Sequence, residues 1–253
     1  MTVFGEWVAL DLWFWLAMVA VAVGGFLRGY SGFGSALAII PVLAVSYGPQ
    51  AAVAMHAIME IPVILRLLPD AFARAERRTV APMLLALLAV TPVGALALRF
   101  VDPEIMRIVI SIVVLGMVGL LALGPGLPLF QGRRGAVLAG GLGGLTQGAT
   151  GVGGPPVVAA LLARGDGAAT ARANVVAVMS SLIALSIVVF ALYGLVDRQV
   201  LVIGALAAPV CLFTTMAGAA VFQRTNGEGF RGLALWMLAA LAGVTLVTAL
   251  GQL

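Results

Sequence analysis

Lysine is absent from this chain, histidine and cysteine occur once each, and only 9% of the residues carry charge. Soluble domains carry roughly 25% charged residues. With 62% hydrophobic residues and a mean hydropathy of +1.16 over 253 residues, the chain reads as an integral membrane protein. No long hydrophilic block is present, so no soluble domain is expected. The lone Cys211 excludes an intrachain disulfide and lies inside an apolar run, where cysteine packs as a small hydrophobe. One histidine and one cysteine supply no metal-ligand cluster, no H-E-x-x-H and no nucleophile–base spacing. Neither a metal nor another cofactor is expected, and the chain does not read as an enzyme. A nucleotide-binding motif is also missing. The net charge of +4 comes from arginines at the ends of apolar runs, which points to orientation in a membrane and not to nucleic acid.

What the chain has instead is apolar stretches close to the ~20 residues that cross a bilayer as a helix. The fold class expected is therefore all-α, a polytopic helical membrane protein. Five stretches fall in the first half, at about 10–27, 31–46, 50–68, 80–100 and 105–123. Five more follow at about 134–146, 150–163, 168–193, 200–222 and 230–252. The N-terminus carries Glu6 and Asp11 and lacks a basic region and a small-residue cleavage site, so it reads as a first span and not as a signal peptide. Trp7, Trp13, Trp15 and Trp236 fit an interfacial belt or lipid-facing packing.

The two sets are related by a glycine pattern that recurs 119 residues later. Gly24, Gly25, Gly29, Gly32 and Gly34 align without a gap on Gly143, Gly144, Gly148, Gly151 and Gly153, and Ser31 falls on Thr150. The register continues through Ala44/Ala163, Gly48/Gly167, Ala52/Ala171 and Ala54/Ala173. Two membrane repeats are thus expected, 1–130 and 131–253. The first two stretches of each are short and joined through the glycines, as two tilted spans or as one re-entrant hairpin. Counting either as a return to the same side puts Arg66, Arg74, Arg77, Arg78, Arg133, Arg134, Arg164, Arg172, Arg224 and Arg231 on one face. Only Arg99, Arg107 and Arg198 fall on the other. A single kinked crossing would leave no such bias. The positive-inside rule therefore favours an odd number of crossings per half, inverted repeats, and a cytoplasmic arginine face.

Glycine-interrupted apolar segments at matching places in two halves point to a transporter's substrate site. Backbone N–H groups are tolerated unpaired at membrane depth only where they line a cavity or are buried in protein. Helices starting after each glycine motif would aim a partial positive charge of ~0.5 at the break, which suits an anion. Pro155 and Pro156 fit a first helical turn. Ser31 and Thr150 can cap those helices or bond an oxyanion directly. Arg28, between apolar runs, either binds the anion with its planar fork or snorkels to the surface; Gln147 occupies its matching column. The substrate-binding set expected is Arg28, Gly29, Ser31, Gly32, Gly34, Gln147, Gly148, Thr150, Gly151, Gly153 and Asn174. His56 and Glu60 share one helical face beside Pro62, which permits a kink. They couple transport to protons, or else Glu60 neutralises Arg66 or Arg172 and His56 packs neutral. Arg172 contacts ligand or marks the cytoplasmic face.

The pattern G-x-x-[RQ]-G-x-[ST]-G-x-G, starting at Gly25 and again at Gly144, resembles the TauE/SafE family of sulfite and organosulfonate transporters. The resemblance continues through 36–45, Gly48-Pro49 and 51–54, and through 157–162, 165–167 and 168–173. It implies a permease for sulfite, a sulfonate or a related small organic anion in a bacterial plasma (inner) membrane. The first copy continues Gly34-Ser35-Ala36 and the second Gly153-Gly154-Pro155-Pro156, so the two are not expected to contact a ligand alike. The expected function is a secondary transporter working by alternating access around the two glycine breaks. Its partners are a small anion and membrane lipid, with homo-oligomerisation left open. The alternatives are an intramembrane enzyme, or a structural protein whose glycines serve helix packing.

Overall fold

The computed structural model describes residues 12–122 and 128–225. Glu6, Trp7, Asp11, Arg231, Trp236 and the stretch 230–252 lie outside them. Among the described residues the chain is helical, with one short 3-10 turn at Pro128–Phe130 and no strand. The helices are α1 (Leu12–Ser31), α2 (Ser35–Tyr47), α3 (Pro49–Met59), α4 (Ile61–Arg74), α5 (Arg77–Phe100) and α6 (Pro103–Ala122), then α7 (Gly132–Thr150), α8 (Gly154–Leu162), α9 (Ala168–Leu192) and α10 (Arg198–Arg224). Helices α1, α5, α9 and α10 are each long and apolar enough to cross a membrane, and the bent pair α3–α4 makes a fifth if counted as one span. Large apolar side chains such as Leu65, Phe100 and Phe213 stand 70% or more exposed, as a lipid-facing exterior requires.

Each glycine motif ends one helix and starts another. Gly32 adopts φ +85° and donates its N–H to the Arg28 carbonyl at 2.9 Å. Gly151 adopts φ +73° and donates to the Gln147 carbonyl at 2.8 Å. Left-handed backbone of this kind stops a helix and suits glycine, which has no Cβ to clash. After each break the chain doubles back. A Cβ on Gly24 of α1 would lie 2.8 Å from the Ile39 side chain and 3.0 Å from the Ser35 carbonyl of α2. A Cβ on Gly143 of α7 would lie 2.8 Å from the Gly153 carbonyl. Both pairs, α1–α2 and α7–α8, are therefore hairpins. The breaks fall later than the apolar runs suggest: α1 stays helical through Arg28 and Gly29 to Ser31, and α7 through Gln147 and Gly148 to Thr150.

The reason lies in packing. Gly25 and Gly29 of α1 face α10, where a Cβ would meet the backbone of Cys211 or Thr215, while Gly218 of α10 faces Phe26 and Tyr30. Gly144 and Gly148 of α7 face Leu87 and Thr91 of α5, and Gly94 of α5 faces Leu145 and Ala149. Missing side chains let each helix pair approach backbone to backbone, the small-residue contact that holds membrane helices together. Packing thus keeps four of the motif glycines helical, and Gly32 and Gly151 make the turn.

The third apolar stretch of the first half is two helices bent by 51° at Glu60. Pro62 follows two residues later, where its ring and missing N–H disrupt the helix. In the matching stretch α9 runs unbroken for 25 residues. Two cavities gather arginines at helix ends. One, about 320 Å³, is lined by Arg66 and Arg74 of α4, Arg172 of α9, and Phe222 and Gln223 of α10. The other, about 450 Å³, brings together Arg78, Arg133 and Arg164, at the starts of α5 and α7 and the end of α8. Arg164 reaches Glu76 at 2.7 Å, beside the start of α5. Arg99, at the far end of α5, donates to the carbonyl of Tyr193 at the end of α9.

Candidate functional site

The two breaks meet. One small cavity is walled by Phe33, Gly34, Ser35 and Ala36 from the first break and by Gly151, Val152, Gly153, Gly154 and Pro155 from the second. Arg28, Leu37, His56, Gln147, Met179 and Ile183 complete its lining. Its free volume is about 10 Å³, roughly the space of one water. The first turns of α2 and α8 both flank it, so unpaired backbone N–H groups border the space from two sides. Their contributions differ. Pro155 and Pro156 open α8 without donors, and the Gly153 N–H is held by the Gln147 side-chain oxygen at 3.1 Å. The start of α2, with Ser35, Ala36 and Leu37, is the richer donor.

Arg28 is fully buried on α1, which excludes the surface-snorkelling reading. Its Nε donates to Glu60 at 3.3 Å, one guanidinium nitrogen donates to the Gly32 carbonyl, and the other to Ser180 Oγ at 2.9 Å. Ser35 Oγ donates to Glu60 Oε1 at 2.6 Å and lies 3.0 Å from His56 Nε2. His56 Nε2 is itself 3.7 Å from Glu60 Oε1. Five buried side chains from α1, α2, α3, the bend and α9 form one network beside the first break. Three buried side-chain nitrogens have no partner among the described residues: His56 Nδ1, Gln147 Nε2 and Asn174 Nδ2. The first two belong to residues that line the cavity.

Several expected roles change. Glu60 pairs with Arg28, not with Arg66 or Arg172. Arg66 pairs with Asp70 on the surface, and Arg172 donates to the carbonyls of Gly29 and Tyr30 and stacks on Phe222. Ser31 Oγ donates to the Leu27 carbonyl and accepts the Phe33 N–H, while Thr150 Oγ1 donates to Thr146 and accepts the Val152 N–H. Both hydroxyls finish the preceding helix, and neither caps α2 or α8. Gly29 and Gly148 permit close approach to the backbones of α10 and α5. Asn174 accepts the backbone N–H of Glu76 at 2.8 Å, which holds the start of α5. Arg28, Gly34, Gln147, Gly151, Gly153 and His56 line the cavity as a set, and Gly32 supports it through Arg28.

Sequence reading missed Ser35 and Ser180. Ser35 directly follows the motif and starts α2, a signal that was available. Ser180 sits 152 positions from Arg28 on a mostly apolar helix, and nothing local distinguishes it from Ser181 and Ser186. Carrying the 119-residue register forward exposes a further pattern. Arg28, Ser35, His56 and Glu60 correspond to Gln147, Gly154, Val175 and Met179. One half of the site holds ionisable and hydroxyl groups, and the other is neutral.

The family model described as Sulfite exporter TauE/SafE matches residues 16–245, most of the chain. No curated protein and no solved structure matches it. With that span covered, the chain belongs to the Sulfite exporter TauE/SafE family of membrane transporters.

Proposed function

We propose that this protein is a secondary transporter that carries a small sulfur-containing or organic anion, such as sulfite or a sulfonate, across a bacterial inner membrane. The observation that carries this reading is the single cavity walled by both glycine breaks and Arg28. A helix N-terminus beside a buried guanidinium favours an oxyanion without requiring a second full charge. In this reading Arg28 and the first N–H groups of α2 hold the anion. Gln147 Nε2, buried without a partner among the described residues, donates from the other half. Gly32, Gly34, Gly151 and Gly153 shape the backbone there, and Ser31 and Thr150 fix the helix ends from which the breaks start.

The halves 1–130 and 131–253 act as inverted repeats in this proposal. Two features support that. Helix α1 packs on α10 and α7 packs on α5, a reciprocal exchange between the halves. Hairpin α7–α8 starts and ends at the arginine-bearing end, while α1–α2 leads into the bent pair that finishes there at Arg74. The arginine end would face the cytoplasm. A cavity with room for one water is closed to a sulfonate, so transport requires the halves to part on alternate sides. The cavity of about 320 Å³ with Arg66, Arg74 and Arg172 leads toward the first break: Val176 lines it, and a Cβ on Gly32 would lie 3.0 Å from that side chain.

The test is flux into liposomes of purified protein, using labelled sulfite, sulfonates and small carboxylates. Vectorial uptake of at least one, reduced in Arg28→Gln, is the expected result. Failure to move any of them would overturn the reading.

A further inference from the structure

Arg28 offers its charge to an anion only if Glu60 gives it up. Both side chains are 1% exposed or less and lie 3.3 Å apart. An anion added to the intact pair would leave one uncompensated negative charge in a low-dielectric interior, which is costly. A proton on Glu60 removes that surplus. We propose that Glu60 and the transported monoanion exchange as partners of Arg28, one proton moving with each anion. This rests on the reading of the break cavity as the anion site and names how that site is gated.

The geometry supplies a route for the proton. Ser35 Oγ donates to Glu60 Oε1, so its lone pair is available to a hydrogen on His56 Nε2, 3.0 Å away. His56 Nδ1 has no partner among the described residues, although the ring is buried and lines the cavity. A proton arriving at Nδ1 releases the one on Nε2 to Ser35 Oγ, and the serine hydrogen passes to Glu60 Oε1. One proton enters, one resides on Glu60, and His56 is left neutral as its other tautomer. The remaining groups around Glu60 do not compete. Arg28 from α1 is held by Glu60, the Gly32 carbonyl and Ser180, Ser180 of α9 bonds only to Arg28 among the described residues, and Arg172 of α9 is held by carbonyls. α10 contributes the buried Cys211 thiol. In the second half Met179 and Val175 stand in the matching columns and carry no proton. One ionisable half implies one proton per cycle and a preference for single over double negative charge.

The probe is methanesulfonate, which stays singly charged across the range tested, added to the full chain in nanodiscs. Its affinity should tighten by about tenfold per unit fall in pH between about 7.5 and 5.5, with close to one proton taken up per anion bound. Glu60→Gln should bind at the higher pH as tightly as the unmodified protein at the lower, with the slope gone. His56→Gln should slow proton uptake while the equilibrium slope remains. A pH-independent affinity in the unmodified protein, or a slope that survives Glu60→Gln, overturns the coupling and leaves the transport reading standing. No binding of methanesulfonate, sulfite or a small carboxylate at any pH overturns both. If Glu60→Gln does not fold, the proton count on the unmodified protein decides alone.

Discussion

Arg28 and Glu60 make the largest single demand on this interior. Neither charge is stable alone in a membrane core, so Glu60→Ala should lower stability by about 3–5 kcal/mol, the usual result of leaving a buried charge unpaired. The double substitution Arg28→Gln with Glu60→Met copies the neutral half, where Gln147 and Met179 occupy those columns. It is expected to melt closer to the unmodified protein than Glu60→Ala does and to lose methanesulfonate binding. Melting curves in detergent, with and without the anion, separate the two effects. A double variant that keeps its anion response would show that Arg28 does not hold the ligand. At the membrane edge, the Thr79 hydroxyl and then Arg164 keep the Glu76 carboxyl below its usual range. A lowered carboxylate stabilises the fold above its unfolded value and loses that contribution as the pH falls through the folded one. The melting temperatures of the unmodified protein and Glu76→Gln should therefore differ at neutral pH and converge in acid, below about 4.5.

At the scale of elements, the repeated glycines divide into two kinds with different consequences. Gly29 and Gly148 lie against the backbones of α10 and α5, and a methyl group would push the helices apart. Alanine at either should cost about 1–3 kcal/mol or more, read as a lower melting temperature with or without anion. Gly34 has φ +95° and only the Leu27 Cβ within reach of an added methyl, at 3.9 Å. Gly34→Ala should cost about 1–2 kcal/mol of backbone strain, with its main effect on anion affinity. Equal behaviour of the two kinds would undo the division.

This is also where sequence reading succeeded and failed. Helix class, the bend beside Pro62 and the two breaks were legible, because glycine and proline act through local backbone physics. The extra turn of α1 and α7 was not, since glycines such as Gly29 stay helical only through contact with a helix from the other half. Ser180 and the true partner of Glu60 were hidden for the same reason: both depend on contacts made between distant segments.

Across the whole molecule, the arginine-lined cavities sit where helix ends converge, and Arg99 marks the opposite end of α5. Cysteines introduced at Arg74 and Arg133 should react with an impermeant thiol reagent from one side of the membrane, and one at Arg107 from the other. The native Cys211 is buried and should stay silent. Labelling of Arg133→Cys and Arg107→Cys from the same side would contradict the opposed hairpins. The claim beneath all of this is that the two glycine breaks close around an anion. Selenite soaked into crystals of the full chain tests it most directly, since selenium is located by its own anomalous scattering. A selenium peak between Ser35 and Gly154, within reach of the Arg28 guanidinium, is the result expected. A peak elsewhere in the molecule, with that cavity still closed, would contradict the account.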